Sequence, residues 1–294
     1  MKFLLALLPL FTILFSGCKP QQVDPYQEFS YMNETREYIY YAPPRLKPNS
    51  PLVFAVHGYT DNALNFMNYT KMNSWADSLG FAVCYPQGSI DNKGNTYWYV
   101  GYSFHQNNDI KNDIGFIEAL AVFLQSKHKH DPARTYITGM SNGGDLCVTL
   151  ACKPSQIFKA YAPVVGCLMA ATHATSKYQQ SPMLFMNGTA DSTTFYAGDI
   201  LNKQNYGPYW GTEYMVQYFV TKNAGVQVAT DTLRTRMKAD KTMAVRYRYT
   251  NGHDNTNPIT SYKIVGGGHD WTGSSGSKCI DASREIVNFF MSLH

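Results

Sequence analysis

Thr135-Tyr136-Ile137-Thr138-Gly139-Met140-Ser141-Asn142-Gly143-Gly144 is the stretch that decides the fold. Its first four residues are β-branched or aromatic, as in a strand, and Asn142 to Ala151 read as a helix. Between them a serine has glycine two positions away on either side. This is the pattern of a nucleophile elbow, a sharp strand-to-helix turn that leaves a serine hydroxyl exposed. Glycine is expected at both flanks because a Cβ there would strike the neighbouring strand and helix.

Outward from that turn, strands and helices alternate. Apolar runs at 51–56, 81–85, 161–165 and 183–186 read as strands buried on both faces of a parallel sheet. Helical spacing covers Met67–Leu79, stopped by Gly80, and then 113–127, 212–221 and 281–293. A hairpin is expected over 28–43, and a strand pair at 245–249 and 261–265 around the polar turn 251–257. Residues 91–112 and 192–211 are aromatic-rich loops without a period. The pattern predicts an α/β fold with a mostly parallel central sheet and helices on both faces. Ligands of such sheets bind beyond the carboxyl ends of the strands, where His57, Ser141, Asp191 and His269 all fall.

Of 294 residues, 44% are hydrophobic, enough for a sizeable core and too many for a disordered chain. The net charge of +4 comes from scattered Lys and Arg, so nucleic acid is not an expected partner. Aromatic residues reach 14%, with 22 tyrosines. That excess suits either a sugar or aromatic-ester groove or ordinary packing.

Met1-Lys2, an apolar run of about 13 residues to Phe15, and Ser16-Gly17-Cys18 read as an export signal too short to span a bilayer. Residues 1–17 are expected to be the signal peptide. Cys18 resembles the lipidated cysteine of a bacterial lipobox, with 18–27 as a tether and 28–294 as one domain. The chain is thus expected to be exported, as an outer-membrane lipoprotein on either face or else secreted. Among the other cysteines, Cys84 and Cys147 read as buried hydrophobes. A bridge among Cys147, Cys152, Cys167 and Cys279 stays open.

A serine hydroxyl is a weak nucleophile and needs a base, itself oriented by a carboxylate. In this type of fold the chain order is serine, acid, histidine. His269 follows the last strand on a glycine-rich loop that can carry an imidazole over Ser141. His128, His130, His253 and His294 read as solvated, and His105 and His173 have no motif around them. Asp191 follows an apolar strand through Gly188 and lies between Ser141 and His269. Asp231 and Asp254 lack that setting, and Asp270 is adjacent to the base. Asp113 and Asp145 fall in helices, where capping or solvated roles are the default. The oxyanion-stabilising amides are expected from Asn142 and Tyr59. His57 reads as a structural group holding its loop.

His57-Gly58-Tyr59, Tyr85-Pro86-Gln87-Gly88, Asp113-Ile114-Gly115-Phe116-Ile117, Gly139 to Gly144, Asn187-Gly188-Thr189-Ala190-Asp191 and Gly266-Gly267-Gly268-His269-Asp270-Trp271 together resemble the polyhydroxybutyrate depolymerase/feruloyl esterase group. These are α/β-hydrolases related to carbohydrate esterase family 1, and the likeness runs in order through most of 50–290. It implies a serine esterase with catalytic Ser141, Asp191 and His269, and no cofactor or metal. The chain departs from the family at Thr272, usually Pro, and at Trp98 to Tyr102, where members often have a Cys-containing loop. That loop leaves the substrate open while the reaction class stands. The expected substrate is a feruloyl or acetyl ester on plant polysaccharide, with Trp98, Trp210 and Trp271 as aromatic binding faces. Alternatives are a polyester or general short-chain esterase, or an inactive polysaccharide-binding lipoprotein.

Overall fold

The computed structural model describes residues 25–105, 110–155, 157–234, 239–251 and 256–293. The expected leader, Cys18, most of the tether, His253, Asp254 and His294 lie outside them.

A run of five apolar residues, Leu52–Val56, forms β3, and every one is buried. Leu52, Phe54 and Val56 enter the apolar cluster on one face of the sheet, and Val53 and Ala55 enter the cluster on the other. Side chains of a strand alternate, so a strand apolar at every position needs cover on both sides. The same logic applies to β4 (Ala82–Pro86), β8 (Ala160–Val164) and β10 (Met183–Gly188). With β7 (Thr135–Met140) and β14 (Ile259–Val265) they form the parallel centre of the sheet.

Antiparallel strands flank this centre. On one side lies the hairpin β1 (Tyr26–Tyr31) and β2 (Glu34–Tyr41), and on the other β13 (Met243–Thr250) and β12 (Val226–Leu233). The order is β1-β2-β4-β3-β7-β8-β10-β14-β13-β12. Two short ribbons lie apart from the sheet: β5 (Ser89–Ile90) with β6 (Thr96–Tyr97), and β9 (Leu168–Met169) with β11 (Tyr209–Trp210). Helices α1 (Ala63–Thr70), α2 (Met72–Leu79) and α7 (Ala282–Met291) feed one apolar cluster. Helices α3 (Asp113–His128), α4 (Asn142–Ala151) and α6 (Thr212–Lys222) feed the other, and a short α5 (Ala170–Ala174) follows β9. This is the α/β-hydrolase fold.

Several expectations shift. The single helix predicted to end at Leu79 is two, because Lys71 adopts φ 54° and closes α1 before α2 begins. Strand β12 is an element beyond those expected: it is an exposed edge whose β-branched Val226 and Val228 face solvent, the reverse of the apolar-in pattern of a half-buried strand. His130 is buried rather than solvated, its Nε2 2.8 Å from the Tyr40 hydroxyl. All five described cysteines are buried free thiols, so none of the open pairings forms.

Asp113 is neither a cap nor solvated. Its Oδ1 accepts from Arg36 Nη2 at 2.8 Å, and its Oδ2 accepts from the Tyr99 amide at 2.7 Å. The Arg36 guanidinium also lies 4.0 Å over the Phe116 ring. The pair thereby ties β2, α3 and the loop after β6 together. Asp113→Ala strands a buried guanidinium and should cost about 3–5 kcal/mol, read from urea unfolding midpoints.

Candidate active site

The turn between β7 and α4 is built by backbone approach. A Cβ on Gly139 would lie 2.5 Å from Gly143 O, and one on Gly143 would lie 2.4 Å from Val56 O. Neither position has room for a side chain, so β7, α4 and the end of β3 meet through bare backbone. Ser141 pays for this closeness with φ 56° and ψ −122°, outside the regions that side-chain-bearing residues favour. Its amide donates to Val164 O at 3.0 Å, and its carbonyl accepts from the Asp145 amide. The half-buried side chain projects into a cavity of about 250 Å³.

His269 lines the same cavity. Its Nδ1 lies 2.7 Å from Asp191 Oδ2. The Asp191 Oδ1 accepts from the amides of Thr193 and Thr194, each at 2.8 Å, so the carboxylate is held on both oxygens. An acceptor at Nδ1 makes that nitrogen the N–H and leaves the lone pair on Nε2. The loops that carry Asp191 and His269 are also joined to each other. Ala190 N–H donates to Gly267 O at 2.8 Å, and Gly266 N–H donates to Thr189 Oγ1 at 2.9 Å. A Cβ on Gly188 would meet Gly267 O at 2.3 Å, which is why the acid strand ends in glycine.

Tyr59 also borders the cavity. The amides of Tyr59 and Asn142 donate to no backbone acceptor among the described residues. The Asn142 side chain has a second task. Its Oδ1 accepts from Trp98 N–H at 2.7 Å and its Nδ2 donates to Trp98 O at 3.0 Å. Trp98 Nε1 in turn donates to His57 O. His57 is locked as a neutral ring. Nδ1 donates to Gly58 O at 2.7 Å and Nε2 accepts from Gly88 N–H at 2.9 Å.

The tryptophans depart from expectation. Trp98 and Trp271 are completely buried and offer no face to a sugar. Trp98 clamps the elbow, while Trp271 packs edge-on against Phe66 and donates to Ser283 Oγ. Trp210 stacks on Tyr214 and lines a separate groove, not the Ser141 cavity. The cavity walls are instead tyrosines and threonines, chiefly Tyr102, Tyr206, Tyr209, Thr193 and Thr194, with Asp145 and Cys167. Asp145, expected in a capping or solvated role, is buried on the cavity wall, where its place four residues after Ser141 puts it one turn along the same helix face. Among the described residues, no three His, Cys, Asp or Glu side chains converge on a metal-sized site.

Residues 36–194 match the family model described as Esterase PHB depolymerase, a span of more than half the chain. The chain belongs to this esterase PHB depolymerase family. Its relatives include a bifunctional acetylxylan esterase/xylanase of Neocallimastix patriciarum, 28% identical over 170 residues, covering 58% of this chain and 22% of that protein. Feruloyl esterase B of Thermothelomyces thermophilus is 27% identical over 169 residues, covering 56% of this chain and 57% of that one. Poly(3-hydroxyalkanoate) depolymerase C of Paucimonas lemoignei is 29% identical over 181 residues, covering 58% and 40%. The family member thus spans less than two thirds of the length of these relatives. Acetyl xylan esterase from Aspergillus awamori shares the fold, with a TM-score of 0.62 at 17% identity over 90% of this chain and 98% of that one. The family match ends before His269.

Two buried groups near the site titrate in opposite senses. Burial lowers the His57 pKa from the usual 6.5 to about 4. The folded state therefore favours neutral His57, and stability is lost as the pH falls from 6.5 towards 4. Burial pushes Asp145 from the usual 3.8 up to about 6, against the opposing Tyr102 hydroxyl and Cys167 amide. Its ionisation therefore costs stability as the pH rises from 4 to 6. Each shift corresponds to about 3 kcal/mol at ~1.4 kcal/mol per pKa unit. Asp145→Asn removes only the second effect, so its stability relative to the parent should be about 3 kcal/mol more favourable at pH 7 than at pH 4. Urea midpoints at the two pH values test this; an equal difference at both would show that Asp145 does not titrate with folding.

Proposed function

We propose that the protein is an exported serine carboxylesterase that removes feruloyl or acetyl groups from plant cell-wall polysaccharide such as xylan. One observation carries the reaction: the Asp191–His269 contact of 2.7 Å beside a strained Ser141 on one cavity. Ser141 attacks the ester carbonyl while His269 Nε2 takes its proton, and Asp191 holds the ring and stabilises the imidazolium. The Tyr59 and Asn142 amides receive the oxyanion. His269 then protonates the departing alcohol, and water hydrolyses the acyl-enzyme with the same base.

The substrate reading is supported by relatives named acetylxylan esterase and feruloyl esterase, and no longer by the tryptophans. The Paucimonas relative supports polyester hydrolysis as a second reading. In both, residues 1–17 are a signal peptide, Cys18 carries lipid, 18–27 is a tether to the outer membrane, and 28–294 is the esterase unit.

Purified protein should hydrolyse methyl ferulate and release acetate from acetylated xylan, and Ser141→Ala should abolish both. Hydrolysis of polyhydroxybutyrate alone would favour the second reading. Asp191→Asn should lower kcat by roughly three to four orders of magnitude, because the ring then loses its fixed tautomer. Turnover in Ser141→Ala at the parent rate would exclude the mechanism.

A further inference from the structure

Asp145 is a buried carboxyl on the wall of the Ser141 cavity, and the ester-cleaving steps give it no part. Its backbone is pinned one helical turn beyond Ser141, with the Asp145 amide donating to Ser141 O at 2.8 Å. Oδ1 accepts from the Cys167 amide at 2.7 Å, and Oδ2 accepts from the Tyr102 hydroxyl at 2.6 Å. The Cys167 thiol donates instead to Met169 Sδ at 3.7 Å. A carboxylate has about four acceptor positions, so Asp145 keeps acceptor capacity beyond these two bonds.

Two of the other wall tyrosines spend their hydroxyls on the protein. The Tyr59 hydroxyl donates to Asp91 and the Tyr209 hydroxyl donates to Gln204. Their rings therefore present apolar faces, and among the described residues that line this cavity Asp145 is the one carboxylate. A cavity of about 250 Å³ has the size of an acyl group.

Resting on the esterase reading, we propose that Asp145 is the specificity-determining residue of the acyl pocket. It accepts a hydrogen bond from a hydroxyl on the acyl group and rejects acyl groups that carry negative charge. An acyl group without a donor leaves the open acceptor cut off from water, which sites of this kind penalise heavily. A carboxylated acyl group meets like charge at close range in a water-poor cavity.

The test compares kcat/KM for methyl 4-hydroxycinnamate, methyl 4-methoxycinnamate and methyl 4-carboxycinnamate, with p-nitrophenyl acetate as a donor-free reference ester. The parent should prefer the hydroxyl ester over the methoxy ester by roughly 10- to 100-fold, as for a hydrogen bond to a charged group. It should turn over the carboxylated ester most slowly. Asp145→Asn should collapse the first ratio to within about threefold and raise the relative rate on the carboxylated ester. A purely structural Asp145 would lower all rates together and leave the ratios alone; that result overturns the proposal. Tyr102→Phe keeps the carboxylate and frees a further acceptor position, so its preference should equal or exceed the parent's. Loss of preference in Tyr102→Phe would assign recognition to the tyrosine hydroxyl instead and overturn the proposal, and this variant decides the matter if Asp145→Asn does not fold. Absence of Ser141-dependent turnover of p-nitrophenyl acetate would remove the esterase reading and the proposal with it, whereas turnover with unchanged ratios removes the proposal alone.

Discussion

The rest of the molecule depends on how closely α4 starts against the end of β3. Gly143 lies so near Val56 O and His57 O that the chain must turn within one residue, and Ser141 takes the left-handed φ that the turn requires. Such a backbone costs about 1–3 kcal/mol and persists only where its surroundings overdetermine it. Here they do. Val164 O holds the Ser141 amide from one side, and Trp98 grips the Asn142 side chain at both ends from the other. The buried sheet supplies the stability against which the local strain is set.

Around this turn the loops are ordered by polar groups rather than by regular structure. Asn142, Asp113 and Asp145 each hold one point of the segment Trp98 to Tyr102, through Trp98, Tyr99 and the Tyr102 hydroxyl respectively. A stretch without periodicity thereby becomes part of the core. The loops that carry Asp191 and His269 are joined by hydrogen bonds from Ala190 to Gly267 and from Gly266 to Thr189, which fix the two side chains relative to each other. Preorganisation of this kind lets a site meet developing charge without rearranging.

What the sequence made legible and what it hid divide along physical lines. Buried parallel strands are apolar at every position, so Leu52–Val56 and Met183–Met186 are plain, and the elbow announces itself through its glycines. The order of Ser141, Asp191 and His269 follows from strand ends. Burial of isolated side chains does not show in a sequence. Trp98 and Trp271 look like binding faces until their indole N–H groups are seen donating inside the protein. Asp113 and Asp145 look like ordinary helix carboxylates, because their partners Arg36 and Tyr102 lie 77 and 43 positions away. Strand β12 is hidden for the opposite reason, being too exposed to carry an apolar pattern.

Burial decides how the five described thiols meet an oxidant. Cys84, Cys147 and Cys167 are fully buried, and burial pushes each thiol well above its usual pKa, so little thiolate exists to attack or be oxidised. In the folded chain these thiols are therefore weak nucleophiles, and an oxidant reaches them only where the core opens.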